Sequence, residues 1–192
     1  MMVDAIIEGI KERVAVAIKV NQSVGIQVPE NRHTDLLEAL FNFMLSNPND
    51  TWTFVTASDT YDHISKTFKE VSEHTNIKFI DCISRAAGIT EFHDNCIYIE
   101  SPTMLEIAGL EIMNTFQGVE DEVDKYIVID SLSALMIYND SEIIREFVSL
   151  LMSRARSQNI HIISILMEEE VDSNKLIQMN DKIVVLRDSF IE

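Results

Sequence analysis

Short apolar runs alternate with amphipathic stretches along most of the chain. Residues 23–28, 51–57 and 126–129 are rich in apolar and β-branched side chains, which is typical of strands buried on both faces of a parallel sheet. The stretches between such runs place apolar residues at helical spacing. We therefore predict an α/β fold, namely a three-layer α/β/α sandwich with a mostly parallel central sheet.

The predicted elements follow one another in a regular order. Strands are predicted at residues 23–28, 51–57, 77–83, 96–99, 126–129, 160–166 and 182–186. Helices are predicted at residues 3–12, with a continuation through residues 14–18 as an alternative, and at residues 35–45, 59–74, 103–116 and 141–157. A short helix is predicted inside the polar crossover of residues 168–179. No Gly-, Pro- or Ser-rich linker interrupts them, so one domain over residues 1–192 is the simplest interpretation, with residues 1–20 as an N-terminal helical extension.

The composition of the chain is strongly acidic. A formal net charge of −17 over 192 residues disfavours binding to nucleic acid or to an anionic membrane, because both are polyanions. No apolar run reaches the length of a membrane span, and the first residues show no signal-peptide pattern. We expect a cytoplasmic protein whose two cysteines, Cys82 and Cys96, are buried reduced thiols.

The candidate chemistry centres on Asp130, which follows the apolar run of residues 126–129. In open α/β sheets, ligands bind beyond the carboxyl ends of the strands, and Asp130 would lie at such an end. In P-loop nucleotide hydrolases, a carboxylate at this position helps to hold the magnesium ion of the nucleotide. The first predicted strand, the loop of residues 29–34 and the helix after it also have the order of a phosphate-binding loop.

Three segments carry a resemblance to a known family. Ser101–Leu105 (SPTML) opens a predicted helix, Ile127–Leu135 reads IVIDSLSAL, and Asn180–Leu186 reads NDKIVVL. In order and spacing, over about residues 23–186, the chain resembles the KaiC-like branch of the RecA-type ATPases. The resemblance implies a RecA-like central sheet and a nucleotide site that includes Asp130 and Ser131.

The phosphate-binding loop departs from the family pattern. The Walker A pattern is G-x-x-x-x-G-K-[ST], in which the glycines let backbone N–H groups surround phosphate and the lysine neutralises its charge. Here Gln27 and Arg32 occupy the glycine positions, His33 replaces the lysine, and only Thr34 fits. The loop therefore lacks most of the residues that bind a triphosphate in the family.

The catalytic base of the family is missing as well. KaiC-like ATPases carry paired glutamates after the second strand, and the first of them activates the attacking water. Ser58 and Asp59 occupy these two positions, and Ser58 cannot act as a base unaided. General-base catalysis is typically worth about 10²–10⁴ in rate. We expect no enzymatic activity, no cofactor and no bound metal.

These departures lead to one main hypothesis and two alternatives. The main hypothesis is a non-catalytic RecA-fold protein with a regulatory, signal-transduction or scaffolding role, which acts through a protein partner or through self-association. The first alternative is an ATP/Mg-binding protein or slow ATPase in which Arg32 and His33 neutralise phosphate charge. The second alternative is an accessory subunit of an active RecA-type recombination or motility ATPase.

The polar candidates also have structural interpretations. We expect Asp130 to be a structural residue at a strand end, hydrogen-bonded to Thr34 or to nearby backbone. His33 is expected to be a solvated loop residue, and His161 a core histidine with a hydrogen-bond partner. Ser131 lacks the G-x-S-x-G context of a hydrolase nucleophile, so we expect no nucleophilic role for it.

Overall fold

A parallel β-sheet forms the centre of the molecule. In the computed structural model, which describes residues 2–168 and 173–187, its strands are β1 (Ser23–Val28), β2 (Thr51–Thr56), β3 (Ile77–Asp81), β4 (Cys96–Tyr98), β5 (Lys125–Asp130), β6 (Ile160–Met167) and β7 (Lys182–Val185). The strand order is β4–β3–β2–β5–β6–β1–β7, and every pair of neighbours is parallel. Each predicted strand is confirmed, with its ends displaced by two residues at most.

Helices cover both faces of the sheet. They are α1 (Met2–Val20), α2 (His33–Ser46), α3 (Tyr61–Thr67), α4 (Lys69–Glu73), α5 (Leu105–Asn114), α6 (Leu132–Met136), α7 (Ser141–Ser157) and α8 (Ser173–Ile177), with a 3₁₀ turn at Glu30–Arg32 before α2. The buried residues of α1–α4 pack against one face, and those of α5–α8 pack against the other. The predicted three-layer sandwich is therefore confirmed, and the strands that the structure describes are all parallel.

The central strands are buried on both faces. On β5, Tyr126 and Val128 join the core beneath α1–α4, whereas Ile127 and Ile129 join the core beneath α5–α8. Both sets of side chains are withdrawn from water. This burial explains why the run is continuously apolar in sequence and why its first acidic residue, Asp130, marks the carboxyl end of the strand.

The first helix is part of the core. α1 runs to Val20, so the alternative in which the helix continues through residues 14–18 is confirmed, and α1 buries Ile10, Val14 and Ile18 against α2 and the sheet. Burial of an aliphatic side chain of this size contributes about 1.5–3 kcal/mol, so α1 stabilises the layer that holds α2. Neither α1 nor any other helix in the described ranges is long and apolar enough to cross a membrane.

Two predicted helices differ from the observed ones. Residues 59–74 form two helices rather than one, because the chain turns at Phe68 (φ −120°, ψ 64°). This turn places the Phe68 ring 4.9 Å from the ring of Phe41 in α2. The predicted helix of residues 103–116 begins only at Leu105, because a turn in which the Met104 N–H donates to the Ser101 carbonyl precedes it.

The carboxyl ends of the strands bring α2 to the end of β5. β2 and β5 are neighbours, with Thr56 beside Asp130, whereas β6 separates β1 from β5. The 3₁₀ turn after β1 leads directly into α2, whose first residue is His33. The start of α2 thus reaches over the end of β6 to Asp130.

Candidate functional site

The site is built around a contact between His33 and Asp130. Asp130 is the last residue of β5 and has no exposed surface, and His33 keeps 15% of its side-chain surface exposed. The imidazole Nε2 lies 2.6 Å from Asp130 Oδ1. The expectation that His33 is a solvated loop residue is therefore wrong, because the helix begins at His33 and carries its ring inward to a buried carboxylate.

The charges around the imidazole favour its protonated form. Burial disfavours the imidazolium, but the hydrogen bond to Asp130 and the negative charges of Asp130 and Asp59 outweigh burial and raise the pKa of His33 above its ordinary value. Below this raised pKa, the imidazolium of His33 lies in direct contact with the Asp130 side chain. The second carboxylate oxygen of Asp130, Oδ2, is buried and has no hydrogen-bond partner among the described residues.

Thr34 does not take part in this contact. Its side chain is exposed, and Asp130 Oδ1 bonds to His33 instead. The expectation that the Asp130 side chain bonds to Thr34 or to backbone is therefore wrong. The backbone carbonyl of Asp130 does accept hydrogen bonds, from the N–H groups of Ala57 at 2.7 Å and Ser58 at 3.2 Å, and these join the end of β5 to the chain that leaves β2.

The loop between β1 and α2 turns its backbone N–H groups onto itself. The Arg32 N–H donates to the Pro29 carbonyl at 2.9 Å, and the His33 N–H donates to the Glu30 carbonyl. A phosphate-binding nest uses a left-handed residue to point successive N–H groups at the anion. In the described residues, positive φ angles occur at Asn159, Gly88 and Gly118, which are all outside this loop.

The residues that the predicted alignment places at the two Walker A glycine positions have structural contacts. Gln27 lies within β1, where its carbonyl accepts a hydrogen bond from the Leu186 N–H at 2.9 Å. Arg32 Nη1 lies 2.9 Å from Asp35 Oδ2 in the first turn of α2. This salt bridge places a carboxylate close to the guanidinium that an incoming phosphate would otherwise meet.

Ser58 and Ser131 complete the cluster at Asp130. The Ser58 hydroxyl lies 3.1 Å from Ser131 Oγ and 3.5 Å from Asp130 Oδ1, and the Asp130–Ser131 peptide bond is cis. Ser131 Oγ also accepts from the Ala134 N–H at 3.1 Å and so caps α6, a helix that the sequence pattern does not predict. Asp59 lies at the edge of this cluster with 44% of its side chain exposed, and its Oδ2 lies 3.9 Å from His63 Nε2.

This cluster is not arranged as a nucleophile with its base. Ser58 and His33 contact the same carboxylate oxygen of Asp130, so the imidazole does not lie between the serine and the carboxylate as it does in a catalytic triad. No group of three His, Cys, Asp or Glu side chains converges as a metal site within the described residues. The arrangement holds a buried ion pair at the end of β5 and links it to β2 through serine hydroxyls.

Other polar candidates lie in structural surroundings. His161 on β6 is half-buried, with Nδ1 3.2 Å from the Asn21 carbonyl and its ring 5.1 Å from the ring of Tyr126, so the expectation of a partnered core histidine is confirmed. Cys82 and Cys96 are buried free thiols as expected. Burial raises the pKa of the Cys82 thiol to about 12 and raises that of Cys96 as well, so both thiols stay protonated at neutral pH.

One buried carboxylate was not expected from the sequence. Asp81 ends β3, has no exposed surface, and accepts hydrogen bonds from the N–H groups of Tyr61, Ile83 and Ser84 at 2.7–2.9 Å and from the Ser84 hydroxyl at 2.6 Å. Both of its oxygens are therefore satisfied by the chain. An acidic residue at the end of an apolar run was the available signal, and it is the same signal that singled out Asp130.

Comparisons with known proteins identify the fold. No family model matches the chain, and no curated protein matches it. Among solved structures, a KaiC-like protein of the hyperthermophilic archaeon Pyrococcus horikoshii is 12% identical, with a TM-score of 0.58 over 89% of this chain and 74% of that one. An uncharacterized P. horikoshii protein in complex with an unknown peptide is also 12% identical, with a TM-score of 0.60 over 90% of this chain and 80% of that one. The chain therefore has an α/β fold of the RecA-like kind found in KaiC-like proteins.

Proposed function

We propose that this protein is a RecA-fold protein that does not hydrolyse nucleotide and that acts through contacts with other proteins, in a regulatory, signal-transduction or scaffolding role. The observation that carries the proposal is the ion pair between His33 and Asp130. In nucleotide hydrolases of this architecture, the corresponding carboxylate helps to hold magnesium and a lysine binds the phosphates. In this chain, the side chain at the lysine position is bonded to the carboxylate itself.

Magnesium does not fit the site as arranged. A divalent cation at Asp130 would lie against the imidazolium of His33, and the buried pair would first have to break. Breaking a buried ion pair by loss of one partner costs about 3–5 kcal/mol. A penalty of that size corresponds to roughly 10²–10⁴ in affinity, which would weaken a dissociation constant of about 1 μM to about 0.1–10 mM.

The loop between β1 and α2 and the position of Ser58 support the same proposal. The N–H groups of Arg32 and His33 are already bonded within the 3₁₀ turn, so they do not offer a cradle for phosphate. Ser58 lies beside Asp130 at the position that the resemblance gives to the catalytic glutamate, and a serine hydroxyl cannot itself act as the base that activates water. Nucleotide binding and nucleotide hydrolysis would therefore each be weakened by a separate feature of the site.

A role in protein contacts is supported by the surface and by one structural neighbour. Large apolar side chains are exposed on α5 and α7, among them Ile107, Leu110, Ile143 and Leu150. The uncharacterized P. horikoshii neighbour was crystallised with an unknown peptide. A RecA-like scaffold that has lost its chemistry can still present such surfaces, because the sheet and its helices do not depend on nucleotide for their packing.

Nucleotide binding without hydrolysis is the second candidate function. The hydroxyl of Thr34 is exposed at the start of α2, and Asp130 Oδ2 has no partner among the described residues. A nucleotide that displaced His33 from Asp130 would find both groups available. In that case His33 would move from the carboxylate to phosphate, and Asp130 would be required for binding.

Isothermal titration calorimetry with ATP and Mg²⁺, and separately with ADP, tests the proposal. We expect no heat of binding up to about 1 mM nucleotide. Binding with a dissociation constant of about 10 μM or less, lost in Asp130→Ala, would overturn the proposal and favour the second candidate. The double variant Arg32→Gly/His33→Lys should gain affinity if the scaffold is competent, and His63→Lys, on the exposed surface of α3, is the control for a histidine-to-lysine change outside the site.

A further inference from the structure

We propose that two copies of this chain associate through α7, with the two helices antiparallel and related by a two-fold axis at Leu150. The surface consists of Ile143, Glu146, Phe147, Leu150 and Arg154 on α7, with Leu105, Glu106 and Gly109 of α5 beside them. None of these residues belongs to the site at Asp130. The inference therefore goes beyond the proposed function and does not depend on it.

A groove between α5 and α7 forms the apolar part of this surface. It encloses about 340 Å³. Leu150 is 62% exposed and Ile143 is 50% exposed, although both are large aliphatic residues. Gly109 of α5 faces the Phe147 ring of α7, since a Cβ at this position would lie 3.4 Å from that ring. Exposed apolar residues that share one groove are typical of an interaction surface rather than of scattered surface positions.

The charges on α7 are arranged symmetrically about Leu150. Glu146 precedes Leu150 by four residues and Arg154 follows it by four, so all three side chains lie on one face of the helix. Both charged residues are exposed, and neither forms a salt bridge within the described part of the chain. One acidic and one basic group thus flank the apolar centre at equal distances.

This arrangement is complementary to itself when two helices run antiparallel. A two-fold axis at Leu150 places Glu146 of each copy beside Arg154 of the other and brings the two Leu150 side chains together. The same axis places Phe147 opposite Ser153 of the second copy, so a large side chain meets a small one. A parallel arrangement would instead place Glu146 against Glu146, which is repulsive.

The same charges favour a second copy over an unrelated partner. A face with only acidic charges would select a basic helix, but this groove carries the basic Arg154 together with the acidic Glu106 and Glu146. A partner must therefore carry the opposite order of charges, and α7 itself meets this condition in the antiparallel direction. The dipoles of the two helices also oppose each other favourably in this arrangement.

The association is expected to be weak. Each copy carries a net charge of −17, so long-range repulsion opposes dimerisation at low ionic strength. At about 0.15 M salt this repulsion is screened over roughly 8 Å, while contacts within the groove persist. A surface of one helix and its neighbour falls at the small end of specific interfaces, so we expect a dissociation constant of roughly 10–100 μM.

Sedimentation equilibrium from about 5 to 500 μM chain, at about 0.15 M salt, measures this association. We expect the average mass to rise toward two chains for the natural sequence. Leu150→Glu should weaken the dimer at least tenfold, because it brings two carboxylates to the axis. Val16→Glu is the matched control, since Val16 is a 66% exposed apolar residue on α1, outside the surface.

A charge-reversal series separates this interface from any other. Glu146→Arg alone and Arg154→Glu alone should each weaken the dimer, whereas the double variant Glu146→Arg/Arg154→Glu should dimerise as the natural chain does. A mixture of the two single variants should form a heterodimer, because each contact then joins an acidic and a basic side chain. Circular dichroism confirms that each variant is folded.

Two results would overturn the proposal. A chain that stays monomeric to about 500 μM does not associate through α7, and the groove would then be left to a different protein. A dimer that is unaffected by Leu150→Glu, or that the double reversal fails to restore, forms through another surface.

Discussion

His33 Nε2 and Asp130 Oδ1 lie 2.6 Å apart although the two residues are separated by 97 positions in the chain. The contact joins the first residue of α2 to the last residue of β5. The imidazole thus lies against a buried carboxyl group at the carboxyl end of the sheet. The pair therefore ties together the two segments between which a nucleotide would bind in a RecA-like hydrolase.

The stability that His33 contributes should depend on pH. Because the pKa of His33 is raised in the folded chain, its contribution is fully present below the ordinary histidine pKa of about 6.5 and is lost as pH rises through the raised value. His33→Gln should reduce the free energy of unfolding by about 1–3 kcal/mol at about pH 6, and by less at about pH 9. Urea denaturation at both pH values checks this prediction. An equal loss at both would show that the charge of the imidazole does not matter.

The titration of His33 should respond to Asp130. Removal of the carboxylate charge in Asp130→Asn leaves burial as the main influence on the imidazole, and burial disfavours the charged form. We expect the pKa of His33, followed by NMR of its ring protons, to fall in this variant. Asp59→Asn should lower it by less, since Asp59 acts by charge at a distance and is half exposed. A His33 titration that is identical in all three proteins would contradict the pairing.

Asp81 should be a stability residue. In Asp81→Ala the buried N–H groups of Tyr61 and Ser84 lose their acceptor, so we expect a loss of about 3 kcal/mol or more in the free energy of unfolding. Asp62→Ala is the control, because its salt bridge to Lys66 is exposed and should be worth about 0–1 kcal/mol. Urea denaturation of both variants measures the two losses in the free energy of unfolding. Losses of similar size would contradict the prediction that Asp81 stabilises the fold.

Gly25 should not tolerate a side chain, whereas Gly9 should. A Cβ on Gly25 of β1 would lie 2.7 Å from Ile177 Cγ1 and 2.8 Å from Asn180 Nδ2. We expect Gly25→Ala to destabilise the protein by about 1–3 kcal/mol through overpacking. A Cβ on Gly9 of α1 would meet nothing within 4 Å outside the backbone of its own helix, so Gly9→Ala should stabilise by about 0.5–1 kcal/mol. Thermal denaturation compares the two, and the prediction fails if their order is reversed.

The helices and strands with a regular apolar pattern could be predicted from the sequence, because that pattern arises within each element. β1 and α7 have the predicted bounds, since a strand buried on both faces and a helix with one apolar stripe each produce a regular pattern. Phe68 breaks the predicted helix of residues 59–74 for a reason that is not local, because the turn depends on its packing against Phe41. The five residues of α6 were also ambiguous, since such a short, mostly apolar run is compatible with strand or helix.

The α/β class and the strands could be predicted without the structure, because they follow from residue types and their spacing. That residues 27, 32 and 33 stand at Walker A positions stays a prediction. The burial of His33 against Asp130 depends on tertiary contacts, because the start of α2 must pass over β6 to meet β5. The apolar groove between α5 and α7 depends on tertiary contacts as well. A helical pattern indicates which residues a helix buries. The remaining apolar side chains form a shared surface only if neighbouring helices bring them together, and the position of those helices is not visible in the pattern.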